Sequence, residues 1–387
     1  MPEGEAMMID TPSRTFTGPI RSSSARVLSQ APAPGKRFAR APLIVEWELT
    51  RACALVCRHC RHQPITDRHG AELSTDEAKG LLEDVRAFST PPPAVLMTGG
   101  DILERPDLTE LVAHGSALGI PITVHLCPTG NVTRSTVEAL ARAGARAVSL
   151  GLDAADPAVH DTERGDPGGF ERTTAAASWV REYGLELRIL TRVTETTMMG
   201  LEALAPLVIE LGAAEWALEF PLPVPGNPAV RGINAWQYGV VMRWLDKLAL
   251  EAPFTITTIN GPQWNRLVYE RLRDQGVALA DLRRHPAAVR LGMRDGRGML
   301  FVTRSGDVQP SRHLKIPAGN VRTRPLYQIY RRAPVFTVLR DEGRLRGKCG
   351  LCPFRAVCGG SRARAYAATG DPLGPDPWCL FSPWRTS

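Results

Sequence analysis

The sequence predicts an α/β fold: a parallel sheet with helical crossovers, followed by a small carboxy-terminal domain held by metal. Three observations predict it. Six apolar or β-branched runs alternate with helical patterns between residues 43 and 252. The alternation fades after about residue 252. The last forty residues are rich in Cys, Gly, Arg and Pro, and carry too little apolar side chain to build a core unaided.

Residues 1–42 are rich in Pro, Ser, Gly, Ala and Arg without lasting periodicity, and read as a disordered or loosely attached tail. The first strand run is Leu43–Leu49. Ser74-Thr75-Asp76-Glu77 is a capping box that opens the first helix. The second run is Ala94–Thr98; Asp107-Leu108-Thr109-Glu110 resembles another capping box, and Gly119 is a helix stop. Further strand runs are Ile122–Leu126, Ala147–Leu152, Leu185–Val193 and Trp216–Phe220. Helices are expected over about 134–143, 171–183, 200–211 and 235–250. Parallel neighbours need such crossovers. Six units are too few for a closed eight-fold barrel and also suit an open doubly wound sheet. The partition predicted is a core over 43–252, a helical connection over 253–295 and a second domain over 296–387. In the last of these, Gly298–Val302 and Asp307–Gln309 flank Ser305-Gly306, a hairpin turn.

The 387 residues are 43% hydrophobic, 22% charged and 6% aromatic, which excludes a coiled coil, a collagen and a disordered chain. No apolar run approaches the ~18 residues of a membrane span. The start, MPEGEAMMID, lacks the apolar stretch of a signal peptide. Eight cysteines without an export signal point to functional thiols in a reducing cytoplasm. The net charge of +7 is uneven: residues 281–387 carry +13, and residues 43–280 carry −9. Such a basic third fits a polyanion binder, or a domain that holds an anionic cofactor and an acidic substrate.

Cys53, Cys57 and Cys60 have the spacing C-x3-C-x2-C directly after the first strand. In an α/β fold that loop lies at the carboxyl end of the sheet, where ligands bind. Three thiolates hold three corners of an iron–sulfur cubane and leave the fourth iron open. A zinc site completed by His59, His62 or His69 is the alternative, as are three unrelated thiols. Cys349, Cys352, Cys358 and Cys379 form C-x2-C-x5-C-x20-C. Four thiolates complete either a closed zinc site or a fully ligated cubane. Cys127 belongs to neither group. Coming after the third strand, it either faces substrate or is a small buried hydrophobe.

The first motif resembles the radical S-adenosylmethionine (SAM) superfamily. The resemblance implies a partial (β/α)6 barrel carrying a [4Fe–4S] cluster, with SAM chelating the open iron. Reductive cleavage of SAM would give a 5′-deoxyadenosyl radical that abstracts hydrogen from substrate. It also implies an electron donor such as flavodoxin or ferredoxin. His59 matches the aromatic position near the adenine. Thr98-Gly99-Gly100-Asp101 resembles the GGE-type motif whose backbone meets the SAM ammonium, with Asp101 replacing Glu and Ile102 replacing the common Pro. Ser149-Leu150-Gly151-Leu152-Asp153 resembles the segment that reaches the ribose. Gly151 replaces its serine and Ala154 its glycine, which leaves Ser149 or Asp153 as ribose ligands. A helix cap is the other reading of Asp153. Arg188 and Arg192 on the fifth strand are candidates for the SAM carboxylate, expected on one face with Leu190 opposite.

The carboxy-terminal segment resembles the SPASM domain, which carries auxiliary iron–sulfur clusters. Ser311 and Ser361 stand where further cysteines are common, so one auxiliary [4Fe–4S] cluster is expected. Arg355, Arg362 and Arg364 would offset its charge. The likeness is to haem-biosynthesis decarboxylases and mycofactocin-type peptide maturases, across about residues 43–383. It implies hydrogen abstraction from a peptide or a tetrapyrrole-like carboxylate. The alternatives are a radical decarboxylase of a small natural-product precursor, and a zinc-stabilised polyanion-binding protein. Neither a membrane nor nucleic acid is the expected partner on the leading reading.

Overall fold

Alternate residues of each strand point to opposite faces of a sheet, and here the two faces differ sharply in chemistry. The computed structural model describes residues 38–60, 70–222, 232–278, 281–282 and 285–382. His62 and His69, and residues 1–37 of the expected tail, lie outside the described residues.

The parallel strands are β1 (Ile44–Glu48), β2 (Ala94–Thr98), β3 (Ile122–Leu126), β4 (Ala147–Gly151), β5 (Glu186–Arg192), β6 (Glu215–Glu219) and β7 (Thr255–Ile259). They are hydrogen-bonded in chain order. On the other side, β8 (Met299–Val302) pairs parallel with β1, and β9 (Asp307–Gln309) and β10 (Gly319–Asn320) follow antiparallel. The connecting helices are α1 (Thr75–Arg86), α2 (Leu108–Ala117), α3 (Arg134–Arg142), α4 (Pro157–Arg164), α5 (Gly169–Glu182), α6 (Glu195–Met198), α7 (Leu201–Glu210), α8 (Ala235–Leu248) and α9 (Gln263–Asp274). The carboxy-terminal part adds α10 (Leu326–Arg332), α11 (Pro334–Arg340), α12 (Gly347–Leu351) and α13 (Arg362–Thr369).

Val45, Trp47 and Leu49, Val95 and Met97, Ile122 and Val124, Val148 and Leu150, Leu187 and Ile189, and Trp216 and Leu218 all pack under the helices, each at most 2% exposed. Each such aliphatic side chain contributes about 1.5–3 kcal/mol by burial, before chain entropy is counted. The opposite face carries Glu46, Glu48, His125, Ser149, Arg188, Arg192, Glu215 and Glu219. A sheet with apolar residues outside and charged ones inside must enclose a polar lumen. This is a partial barrel, and the open doubly wound alternative is set aside.

Four expectations need correction. The 253–295 connection contains a strand, because β7 extends the parallel sheet beside β6. Residues 38–42, assigned to the tail, are docked: Phe38 is 3% exposed, and its carbonyl accepts from Tyr330 Oη at 2.7 Å. The expected capping box at Asp107 does not form, since its carboxylate is taken by Arg105 and Thr75. Leu190 shares the face of Arg188 and Arg192, as a two-residue period requires, and the residues opposite are Ile189 and Thr191. The Ser74–Glu77 capping box and the Ser305-Gly306 hairpin form as expected.

The carboxy-terminal part packs Leu314, Leu339, Leu345, Cys349, Ala363 and Leu373 into a small second core with Leu222, which follows β6. It is pinned to the barrel by Arg364. That guanidinium pairs with Asp376 at 3.0 Å and lies between the Tyr238 and Trp378 rings, 4.9 and 4.5 Å from their centroids. Gln263 of α9 donates to the same Asp376 at 2.8 Å.

Candidate functional site

The three-cysteine loop leaves β1 at the carboxyl end of the parallel strands. It rests on the end of α4, where Arg58 N donates to Glu163 O at 3.0 Å. Cys53, Cys57 and Cys60 are each partly exposed. Burial pushes the Cys57 thiol up, while Arg164 and Arg192 oppose the shift. Cys127, after β3, comes to the same place: its Sγ is 3.2 Å from Gly100 O, and its hydrogen bond to Cys53 holds that thiol down to about 7.

Gly99-Gly100 presses its backbone onto this loop. Gly100 N donates to Thr50 O at 2.9 Å, and Asp101 N to Ala52 O at 2.7 Å. Gly99 has φ +156°, and a Cβ there would stand 2.4 Å from Thr50 O; one at Gly100 would stand 2.3 Å from Ala52 O. No side chain fits at either position. The Asp101 carboxylate is consumed locally by Thr129 Oγ1 at 2.6 Å and Asn131 Nδ2 at 2.9 Å.

The lumen holds the other candidates in a buried charge network. Asp153 is not the cap of α4, a role taken by Asp156. Its Oδ2 accepts from Arg164 Nε at 2.7 Å and its Oδ1 from Arg192 N at 2.9 Å. Arg164 holds the Asp153 carboxyl well below the usual range, against the cost of burial. Ser149 is fully buried, with Oγ 3.1 Å from His125 Nδ1. His59 is 5% exposed, with Nε2 3.0 Å from Arg192 Nη1. Burial and Arg192 drive its pKa down, so it is neutral. Its Nε2 then accepts from Arg192 and its proton sits on Nδ1, 3.9 Å from Asp153 Oδ2.

Arg188 bridges to Glu215 at 3.0 Å, which Thr257 and Arg290 also bind at 2.6 and 3.0 Å. Arg192 reaches Glu219 at 3.3 Å, which Arg312 and His313 share at 3.3 and 3.1 Å. The guanidinium groups around Glu215 hold its carboxyl down to about 2 despite burial.

Sequence reasoning missed Arg164. A Cβ at Gly151 would stand 1.9 Å from its Nη2. The guanidinium therefore occupies the space that a side chain at 151 would fill. Its Nη2 is buried without a hydrogen-bond partner among the described residues. The available signal was Asp156-Pro157, a cap followed by proline, which marks the start of α4.

Cys349, Cys352, Cys358 and Cys379 line one small cavity with Lys348, Arg355, Gly359, Gly360 and Phe381. Backbone N–H groups already aim at the sulfurs: Gly360 N lies 3.4 Å from Cys358 Sγ, and Asp376 N lies 3.4 Å from Cys349 Sγ. Burial pushes the Cys358 thiol up to about 12. Of the three arginines expected nearby, Arg362 lies 3.6 Å from Cys349 Sγ and Arg355 lines the cavity, while Arg364 serves Asp376. Ser361 caps α13, and Ser311 Oγ donates to Asp295 at 2.5 Å. Both serine hydroxyls are thus engaged in hydrogen bonds within the protein. The second cysteine set, around one cavity with the Arg362 guanidinium beside it, fits an anionic cluster, while among the described residues no three His, Cys, Asp or Glu side chains are drawn together as a ready metal-ion site.

Residues 47–202 match the model of the radical SAM superfamily. The chain is 33% identical over 346 residues to the AdoMet-dependent heme synthase of Methanosarcina barkeri, covering 89% of this chain and 98% of that one. It is 28% identical to the PqqA peptide cyclase of Rhodopseudomonas palustris, covering 88% of each. Among solved structures, SuiB of Streptococcus suis bound to S-adenosylmethionine superposes with a TM-score of 0.66 over 88% of this chain and 78% of that one, at 17% identity. These matches exclude the zinc-stabilised polyanion-binding alternative, because the superfamily is enzymatic and uses a [4Fe–4S] cluster with SAM. With its cysteine loop, its glycine pair and its polar lumen in one mouth, the chain belongs to the radical SAM superfamily.

Proposed function

We propose that this enzyme abstracts a hydrogen atom from a carboxylate-bearing tetrapyrrole. The observation that carries the reading is the three-cysteine loop at the carboxyl ends of the strands, with the Gly99-Gly100 backbone locked against it. Cys53, Cys57 and Cys60 would hold the SAM-binding [4Fe–4S] cluster. Such a cluster, when reduced, would supply the one electron that splits SAM into methionine and the 5′-deoxyadenosyl radical. A flavodoxin- or ferredoxin-type donor would provide that electron.

The chain's own residues do the binding and positioning. Gly99 and Gly100, free of side chains, seat the turn after β2 against the cysteine loop, where its backbone would meet the SAM ammonium. Ser149 and Asp153 are already engaged, so Arg164 Nη2, the unpartnered donor beside Gly151, takes the ribose-facing role. The Asp153 carboxylate fixes that guanidinium. His59, neutral and buried, fixes Arg192. Arg188, Arg192, Arg290 and Arg312, bridged to Glu215, Glu219 and Glu46, form a ladder that can exchange partners with substrate carboxylates. Cys349, Cys352, Cys358 and Cys379 would hold one auxiliary [4Fe–4S] cluster. Four cysteines around it would leave no ligand position open for SAM, so the chemistry it would supply is electron transfer.

The higher identity to a heme synthase than to a peptide cyclase supports a tetrapyrrole over a peptide. A peptide is the second reading, supported by 28% identity to that cyclase over 88% of each chain. The test is anaerobic incubation with SAM, dithionite and a propionate-bearing tetrapyrrole deuterated on its side chains. Deuterium in 5′-deoxyadenosine is expected. Unlabelled product with the tetrapyrrole would refute the proposal.

A further inference from the structure

Two successive glycines follow Cys358, and each has φ +69°. A Cβ at Gly360 would stand 2.5 Å from Arg362 Nη2 and 3.1 Å from Cys349 Sγ. A Cβ at Gly359 would stand 2.8 Å from Arg294 Cζ. Gly360 thus admits Arg362 to Cys349 Sγ, and Gly359, which lines the four-cysteine cavity, admits Arg294 behind it, where it feels the charge of Cys358.

The two guanidinium groups are not equivalent. Arg362 is satisfied: Nε donates to Gly360 O at 3.1 Å, Nη1 to Gly374 O at 2.7 Å, and Nη2 to Cys349 Sγ at 3.6 Å. Arg294 is 3% exposed, and only its Nη1 has an acceptor, Gly292 O at 3.4 Å. Its Nε and Nη2 are buried with no partner among the described residues. Glu342, whose charge Arg294 feels, is held by Arg297 at 3.1 Å. Burial, Arg297 and Arg362 press the Arg294 pKa down to about 9, which still leaves it charged at neutral pH.

A buried cation without a counter-charge is strongly destabilising. Natural sequences keep such groups where an anion is to be met. Four thiolates about a cubane core carry a net charge of about −2 in the oxidised state, and the reduced state is more negative still. We infer that Arg294 is the built-in counter-cation of the cluster held by Cys349, Cys352, Cys358 and Cys379, and that it raises that cluster's reduction potential. The inference rests on the auxiliary-cluster reading above. A fixed positive charge close by favours the more negative, reduced form, which suits a cluster that accepts an electron. Arg294 acts as a positioning charge and touches no substrate.

The test uses full-length protein with Cys53, Cys57 and Cys60 all changed to Ala, so that one cluster remains. The background, Arg294→Met and Arg294→Lys proteins are reconstituted anaerobically, assayed for iron, and titrated potentiometrically with EPR detection. Arg294→Met is expected to shift the reduction equilibrium at least tenfold toward the oxidised form, about 59 mV for a one-electron couple. Arg294→Lys should recover most of the shift. If Arg294→Met does not take up iron, Arg294→Gln is titrated by the same criterion. An unchanged potential with full iron overturns the inference. A background protein that binds no iron overturns the auxiliary-cluster reading instead.

Discussion

Replacing Gly151 by Ala tests whether the lumen is built around Arg164. The new Cβ would stand 1.9 Å from Arg164 Nη2, 2.6 Å from Cζ and 2.7 Å from Nη1. Ordinary contact begins at about 3.5 Å, so the guanidinium must retreat by about 1.5 Å. The far end of an arginine usually yields cheaply, but this one is tied at Nε to Asp153 at 2.7 Å, with side chains 3% and 0% exposed. Removing one partner of a buried ion pair costs about 3–5 kcal/mol. A pair that is strained but not deleted should lose about 3 kcal/mol. At about 1–2 °C per kcal/mol for a chain of this length, the midpoint of thermal unfolding should fall by about 5 °C. The second arm repeats Gly151→Ala in an Arg164→Ala background. With the clash removed, the glycine change should cost less than about 0.5 kcal/mol there. A wild-type midpoint for Gly151→Ala, or equal costs in the two backgrounds, would refute the reasoning.

Further outcomes follow from the same geometry. Cys379→Ala should make the carboxy-terminal part protease-sensitive while sparing SAM cleavage, because the first cluster site is built by separate elements; a mutant as resistant as the parent would remove Cys379 from the ligand set. Full anaerobic reconstitution should give about eight iron and eight sulfide per chain, as two cubanes require, whereas about twelve would mean a third cluster despite Ser311 and Ser361. Burial holds the fully buried His160 down to about 4, so it binds a proton in the unfolded chain but not in the folded one between about pH 6.5 and 4. Stability should therefore decline by up to about 1.4 kcal/mol per pH unit as pH falls through that window. Denaturant titrations of His160→Gln should show a shallower decline, and identical slopes would contradict the assignment.

The strands that face both a helix layer and the lumen were readable because one face must be apolar. The strand β7 was not: its Thr255-Ile256-Thr257-Thr258-Ile259 has too little apolar alternation to stand out from its surroundings. The short helix α4 was hidden by its polar sequence, with His160, Glu163 and Arg164 buried where pattern reading expects solvent. The cysteines announced themselves by spacing alone, and the structure gathers the second set around one cavity. Which arginines attend them was not readable. Arg164 and Arg294 reach their places only through space opened by Gly151 and Gly359, a relation between distant residues that no local pattern records. The basic carboxy-terminal third is partly resolved the same way, as buried guanidinium groups serving internal partners.

The central claim is that the loop after β1 performs reductive cleavage of SAM independently of the second cysteine set. The most direct measurement is 5′-deoxyadenosine formed under dithionite by the reconstituted wild type and by the Cys53→Ala, Cys57→Ala, Cys60→Ala triple variant. The wild type should form 5′-deoxyadenosine and the triple variant none, while the triple variant should still bind about four iron, one cubane's worth. Formation of 5′-deoxyadenosine by the triple variant would contradict it.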